Sequence, residues 1–210
     1  MFTGRITLTA HPWLGDHAVG GVVVLPGAAL AEMVARAGEE AGCGHVAELT
    51  LHTPLTIPAD GGVQVQVLLR EPDADGAREV EVHARTDEAA EWVCHAVGLV
   101  EPARDEPEFD LSVWPPPGAE PVDVTGFYDR VAEVGYHYGP AFQGLTAAWR
   151  RGEEVFAEIA VSEDVSGFLL HPALLDAAMQ AVLLDALDEV RLPFTWTDVD
   201  VHVTGRPPRG

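Results

Sequence analysis

The stretch "HAVGGVVVLPGAALAEMV", residues 17–34, decides how the chain is read. A histidine leads an apolar, β-branched run that ends at Pro26-Gly27. From Ala28 the pattern changes: Leu30, Met33, Val34 and Ala37 fall at i, i+3, i+4 and i+7, one face of a helix. Gly42 and Gly44 stand just past its end, where helices commonly stop. The run before the helix reads as one strand, weakened or bulged at Gly20-Gly21. A titratable ring on such a strand, beside a helix start, has two readings of about equal weight. It is a core histidine with one satisfied hydrogen bond, or an acid/base group suited to neutral pH.

Outward from this stretch the strand signals multiply. "GRITLTA" (residues 4–10) precedes it as an alternating, β-branched strand. After the helix come strand-like runs at residues 45–52, 62–70, 78–85 and 91–100, separated by polar turns. One helix followed by several antiparallel strands is an α+β pattern. Residues 102–121, "PARDEPEFDLSVWPPPGAEP", are rich in proline and acid and read as a surface-crossing linker. Beyond them the theme returns. Residues 122–135 are a short helix candidate, and 145–161 form a hairpin turning near Arg151-Gly152. A second helix starts near His171-Pro172, with Leu175, Ala178, Met179 and Val182 as its stripe, and 191–205 is again strand-like. The order of elements predicts two copies of a helix wrapped by an antiparallel sheet, a double hotdog. The expected division is an N-terminal hotdog at 1–101, the linker at 102–121 and a C-terminal hotdog at 122–210. The second copy has room for fewer strands and is expected to be partial, since each strand takes ~5–6 residues plus a turn.

Composition narrows the function classes. The 210 residues carry 12 basic and 34 acidic side chains, a formal charge of −22. That field repels nucleic acid and anionic membranes. No apolar run approaches the ~20 residues of a membrane helix, and the N-terminus has no signal-peptide pattern. Cys43 and Cys94 form no CxxC and call for no disulfide, which suits the cytoplasm. The remaining histidines have no metal-ligand spacing, and no phosphate-binding glycine loop occurs, so no metal and no nucleotide are expected.

Three stretches combine glycine and proline punctuation with polar side chains. The first has the form H-x-x-x-G-x-x-x-x-P and contains His17, Gly21 and Pro26. The second is "GYHYGPAFQG", residues 135–144, and the third "HPALLDAAMQ", residues 171–180. Together with "LPFTW" (192–196), "WPPPGAEPVD" and "HPWLGDH" they resemble the dehydratase domains of modular type I polyketide synthases, in the same order and over nearly the whole chain.

That resemblance implies a double hotdog that removes water from a β-hydroxyacyl thioester, leaving an α,β-unsaturated thioester. The substrate would arrive on the phosphopantetheine arm of an acyl carrier protein, with no cofactor bound by the domain itself. It implies that His17 and Asp176 are the catalytic pair. A neutral imidazole suits removal of the weakly acidic α-proton, and a carboxylic acid suits protonation of the departing hydroxyl. Burial raises a carboxyl's pKa and keeps its proton, while a position in the first helical turn would favour the anion. Asp176 is read as lying in that turn, with desolvation the larger effect.

The supporting residues follow. Gly27, at a helix N-terminus and without a side chain, is the expected donor to the thioester oxygen. Pro26 fixes the approach to that helix. Gly21 lets the chain bend near the site or is a plain bulge. Gln180, four residues after Asp176, shares its helical face. Tyr138 is the motif's second tyrosine, near the β-hydroxyl, or a packed tyrosine with a satisfied hydroxyl. His171 serves structure, and Phe142 and Phe194 are core or lining.

Neighbouring synthase domains and a homodimer are the further partners implied. Carrier proteins are usually acidic, so docking on a chain of this charge needs local basic or apolar patches; Arg150-Arg151 is such a pair, or two solvated turn residues. Two other functions stay open at this level: a non-catalytic fragment or scaffold, and a double-bond isomerase or cyclase of the same fold.

Overall fold

Antiparallel pairing organises the chain. The computed structural model describes residues 1–104, 112–184 and 190–201. β1 (Phe2–Ile6) leads through a 3-10 turn at Pro12–Asp16 into β2 (His17–Val19), β3 (Val22–Val23) and α1 (Gly27–Glu40). β4 (His45–Leu51), β5 (Val63–Leu69), β6 (Arg78–Arg85) and β7 (Val93–Glu101) follow. Then come β8 (Glu120–Val122), α2 (Phe127–Glu133), β9 (Tyr136–Tyr138), a 3-10 turn at Pro140–Phe142, β10 (Leu145–Arg151) and β11 (Glu154–Ile159). α3 (Pro172–Gln180) and β12 (Thr195–Asp200) complete the described elements.

Among the described residues the strands form one six-stranded sheet, ordered β1-β5-β6-β7-β4-β12, and two of three strands, β11-β10-β8 and β3-β2-β9. Alternation in "VQVQV" turns Val63, Val65 and Val67 inward, and Val80, Val82 and Ala84 of β6 continue that face. α1 lies against it through Leu30, Val34 and Ala37, so helix and sheet share one core with Val46, Leu49 and Val100. Each such Val or Leu contributes about 1.5–3 kcal/mol by leaving water. A second cluster joins Phe127 and Val131 of α2 to Tyr136, Leu145 and Ala181. β12 pairs with β4, Trp196 opposite Leu49, so chain from the last part of the sequence extends the first sheet.

The α+β class of the sequence reading holds, with local differences that have local causes. Residues 18–25 are not one bulged strand. Gly20 and Gly21, at φ 57° and 80°, form a two-residue turn between β2 and β3. Two left-handed residues in succession match the twist of a hairpin, and glycine adopts them without a Cβ clash. The helix expected at 122–135 starts only at Phe127. Val122 is still strand, and Asp123 Oδ1 accepts the Thr125 N–H at 2.9 Å, turning the chain before Gly126 caps the helix at φ 63°. The first strand starts at Phe2 and ends at Ile6, because Thr7 turns the chain by accepting from Ala10 and His11 N–H. The hairpin turns at Gly152 and Glu153, as its sequence suggested. Residues 105–111 of the expected linker, and residues 202–205 of the last expected strand with His202, lie outside the described residues.

The second helix is out of phase with its expected stripe. The residues it buries are Pro172, Ala173, Asp176, Ala177 and Gln180, while Leu175 and Met179 are half-buried, Ala178 is exposed and Val182 lies 69% exposed in the turn beyond. Two alanines let the backbone approach closely and carry two polar side chains inward.

Candidate active site

β2 and α3 meet across a cavity of about 410 Å³. His17 is the first residue of β2, opposite Tyr138 of β9 in the antiparallel register. Its ring packs 5.0 Å from Phe142 and 5.6 Å from Tyr138, centroid to centroid. His17 Nδ1 lies 2.7 Å from the Val24 carbonyl oxygen. A carbonyl only accepts, so Nδ1 carries the proton and Nε2 of the neutral ring keeps its lone pair. Nε2 lies 3.7 Å from Asp176 Oδ1.

Asp176 is buried, and desolvation pushes its carboxyl above the usual range, opposed by the His17 ring when it is protonated and by the Gln180 hydrogen bond. The helix offers the anion less than its sequence suggested. α3 starts at Pro172, so Asp176 stands beyond the first turn, where the dipole's pull has faded. Gln180 Nε2 donates to Asp176 Oδ2 at 3.0 Å and to the Phe142 carbonyl at 3.1 Å. Burial raises the Tyr138 hydroxyl far above its ordinary value, and the Asp176 charge adds to this.

Five of the seven residues singled out from sequence line this cavity: His17, Gly27, Tyr138, Asp176 and Gln180. Gly27 opens α1; a Cβ there would sit 2.9 Å from Leu51 Cδ1, on the cavity wall. Pro26 is the buried N-cap just outside the lining, in extended backbone that sets the direction of α1. Gly21 is at the exposed tip of the β2–β3 turn and does not line the cavity. His171 caps α3, its Nδ1 accepting from the Ala173 N–H at 3.2 Å, and packs 4.8 Å from Trp13. Arg151 is committed to Glu154 at 2.9 Å and lies over Phe156.

Two positions escaped the sequence reading. Asp16 holds the loop after β9: its carbonyl accepts the Gly139 N–H at 2.8 Å, and its Oδ2 accepts the Ala141 N–H at 2.9 Å. Tyr128 of α2 donates to Gln180 Oε1 at 3.0 Å. Neither belongs to a punctuated motif; Asp16 lies inside "HPWLGDH", directly before His17, which was its only signal. Among the described residues no group of three or more His, Cys, Asp or Glu is placed to hold a metal ion, and no helix is long and apolar enough to cross a membrane.

A buried His–Asp pair on a cavity, held by a strand hairpin and a helix, invites comparison with known enzymes. Residues 1–85 match the family described as polyketide synthase dehydratase domain, and residues 106–209 the family described as polyketide synthase dehydratase N-terminal domain. The chain superposes on the dehydratase domain from the terminal module of the rifamycin polyketide synthase with a TM-score of 0.89 and 47% identity, covering 98% of this chain and 77% of that one. The chain belongs to the polyketide synthase dehydratase family.

Its α+β architecture is that of these double-hotdog dehydratases, enzymes that remove water from the β-hydroxyacyl intermediate during polyketide extension. Over 98% of its length this dehydratase domain is 49% identical to part of mycoketide-CoA synthase from Mycobacterium tuberculosis (strain ATCC 25618 / H37Rv), and it spans 5% of that synthase. At 25% identity the fold also matches two inactive mutants of CurK dehydratase, one with a histidine changed to phenylalanine, TM-score 0.80, and one with an aspartate changed to asparagine, TM-score 0.76. The first covers 92% of this chain and 73% of that one, the second 90% and 68%.

Proposed function

We propose that this domain dehydrates a β-hydroxyacyl thioester presented on the phosphopantetheine arm of an acyl carrier protein, with His17 as base and Asp176 as acid. The observation that carries the reading is the 3.7 Å separation of His17 Nε2 and Asp176 Oδ1, both lining the cavity, with the other ring nitrogen held by Val24. The loss of activity in the CurK histidine and aspartate mutants supports the same two residue types.

His17 Nε2 takes the α-proton, and negative charge develops on the thioester oxygen. The first N–H groups of α1 have no partner within the helix, and Gly27 brings one of them to the cavity. Asp176 gives its proton to the β-hydroxyl, the Cα–Cβ double bond forms, and water leaves. The histidine is now protonated and the aspartate ionised. Their separation permits the proton to return from Nε2 to the carboxylate, directly or through one water, which resets both groups. Tyr138 meets the hydroxyl end of the substrate, and Gln180 holds the carboxyl.

In the same reading the domain divides into lobes at 1–101 and 122–210, joined by 102–121, with β12 and β9 of the second lobe paired to β4 and β2 of the first. It works as a cytoplasmic homodimer beside the other domains of its synthase.

The test is mass spectrometry of short β-hydroxyacyl pantetheine thioesters, in both hydroxyl configurations, incubated with the purified domain. Loss of water from one configuration is expected. Unchanged mass for every substrate, from a protein that melts cooperatively, would overturn the reading.

A further inference from the structure

Two helices, the 3-10 turn at Pro140–Phe142 and the start of β10 converge behind Asp176, and their hydrogen bonds run in one direction. The Leu145 N–H donates to the Tyr128 hydroxyl oxygen at 2.7 Å. That oxygen therefore serves as an acceptor, and its one proton goes to Gln180 Oε1 at 3.0 Å. Both protons of the Gln180 amide are then committed, one to Asp176 Oδ2 at 3.0 Å and one to the Phe142 carbonyl at 3.1 Å. The reversed amide would set Oε1 against two acceptors and leave the Tyr128 proton without a partner. Gln180 is 2% exposed, so water does not relieve either fault.

We infer that Tyr128 is a positioning residue for the dehydration: by donating to Gln180 Oε1 it fixes the amide so that Gln180 donates to Asp176. The inference rests on the proposed role of Asp176 as acid. Tyr128 does not line the cavity, so its action passes through Gln180. The arrangement balances two needs. Burial raises the pKa of Asp176 and so favours the protonated form that the acid step requires. The Gln180 donor stabilises the anion that remains once the proton has gone, and it holds one carboxyl oxygen so that the other, Oδ1, faces His17. Burial pushes the Tyr128 hydroxyl up to about 12, opposed by the Leu145 N–H and helped by the Asp176 charge, so it remains a protonated donor through the working pH range.

The test combines a mutant cycle with a pH profile. Tyr128→Phe and Gln180→Leu are each expected to lower kcat about tenfold, with KM changed less than twofold, because the interaction acts on the transition state. The double variant should lose no more than the worse single variant, since both remove one chain of bonds. In Tyr128→Phe the alkaline limb of the kcat profile should move to higher pH, because the anion of Asp176 has lost support. Site-specific 3-fluorotyrosine at 128 keeps the shape and both hydrogen bonds, so the fold is retained if the phenylalanine variant fails to fold. Its stronger donor should move the same limb to lower pH. Multiplicative losses in the cycle, or an unmoved limb with fluorotyrosine, would overturn the inference. His17→Ala and Asp176→Asn run alongside as controls. If they still turn over, the proposed chemistry fails; if they are inactive and the Tyr128 profile is unmoved, the positioning role alone fails.

Discussion

Gly139→Ala should damage both stability and turnover, although its backbone, at φ −83°, is open to any residue. The obstacle is steric. A Cβ at 139 would lie 2.4 Å from Asp16 Cγ and Oδ1 and 2.8 Å from Asp16 Cβ. Asp16 cannot simply swing away, because its carboxylate holds the Ala141 N–H and its carbonyl the Gly139 N–H. Overpacking of this kind costs about 1–3 kcal/mol. Loss of a hydrogen bond to a charged group costs about 1.5–3 kcal/mol. One displacement relieves part of the other, so the sum is about 2–4 kcal/mol. For a domain of this size the melting temperature should fall by roughly 5–15 °C. The displaced loop carries Phe142, which packs on His17, and Asp16 precedes His17 directly. A shift of ~1 Å at the base can cost ~100-fold in rate. Asp16→Gly removes every atom that the new Cβ would meet. The double variant should therefore be no less stable than Asp16→Gly alone, a coupling of about 1–3 kcal/mol. Thermal melts and turnover of the four proteins in the cycle measure it. A Gly139→Ala protein that melts and turns over like its parent, or strict additivity in the cycle, would refute the reasoning.

Other perturbations follow from the same geometry. Burial holds the Asp176 pKa above its usual 3.8, so its contribution to stability is fully present below that value and is lost as pH rises through the higher folded value. Asp176→Asn should flatten that slope and melt above the parent at neutral pH while losing turnover, a pairing that calorimetry and product analysis check. Desolvation holds the His171 pKa below its usual 6.5, so its stability is present above that value and is lost as pH falls through the lower folded one. His171→Asn keeps a helix cap without a titrating ring, and its melts should lose less stability on mild acidification than the parent's. Gly27→Ala meets the flexible end of Leu51, so stability should change by less than about 1 kcal/mol, whereas kcat/KM should fall because the added methyl narrows the approach to the α1 N-terminus. Unchanged kcat/KM in that variant would remove Gly27 from the site.

Much of the site was legible because its residues sit in punctuated stretches. His17 precedes a turn and a helix start, and Asp176 and Gln180 are spaced to share a helical face. Periodicity of apolar residues placed α1 correctly, since that helix buries Leu30 and Val34 against a sheet. The same rule found only part of the packed surface of α3: Leu175 lies against the first core and Met179 lines the cavity, whereas Ala178 and Val182 are exposed. Leu175, Met179 and Val182 are larger than the apolar side chains on the most buried face, which carries a proline, two alanines and two polar groups because it forms the site. The turn at Gly20-Gly21 was mistaken for a bulge, because two glycines in an apolar run signal either one and only pairing partners decide. Tyr128 and Asp16 were missed for a related reason. Each is tied to groups distant in sequence, Tyr128 to Gln180 and the Leu145 N–H, and Asp16 to the Ala141 N–H, a pairing that no local pattern encodes. The return of β12 to the edge of β4 is likewise a tertiary fact that local sequence does not encode.

The central claim is the division of labour between His17 and Asp176. It is tested most directly with His17→Ala and Asp176→Asn, each shown to melt cooperatively, on an α-deuterated β-hydroxyacyl pantetheine thioester followed by mass spectrometry. The parent should lose water together with one α-deuteron, and neither variant should form the unsaturated product. His17→Ala should also leave the α-deuterium in place. Water loss at the parent's rate from either folded variant, or α-deuterium release from His17→Ala, would contradict the account.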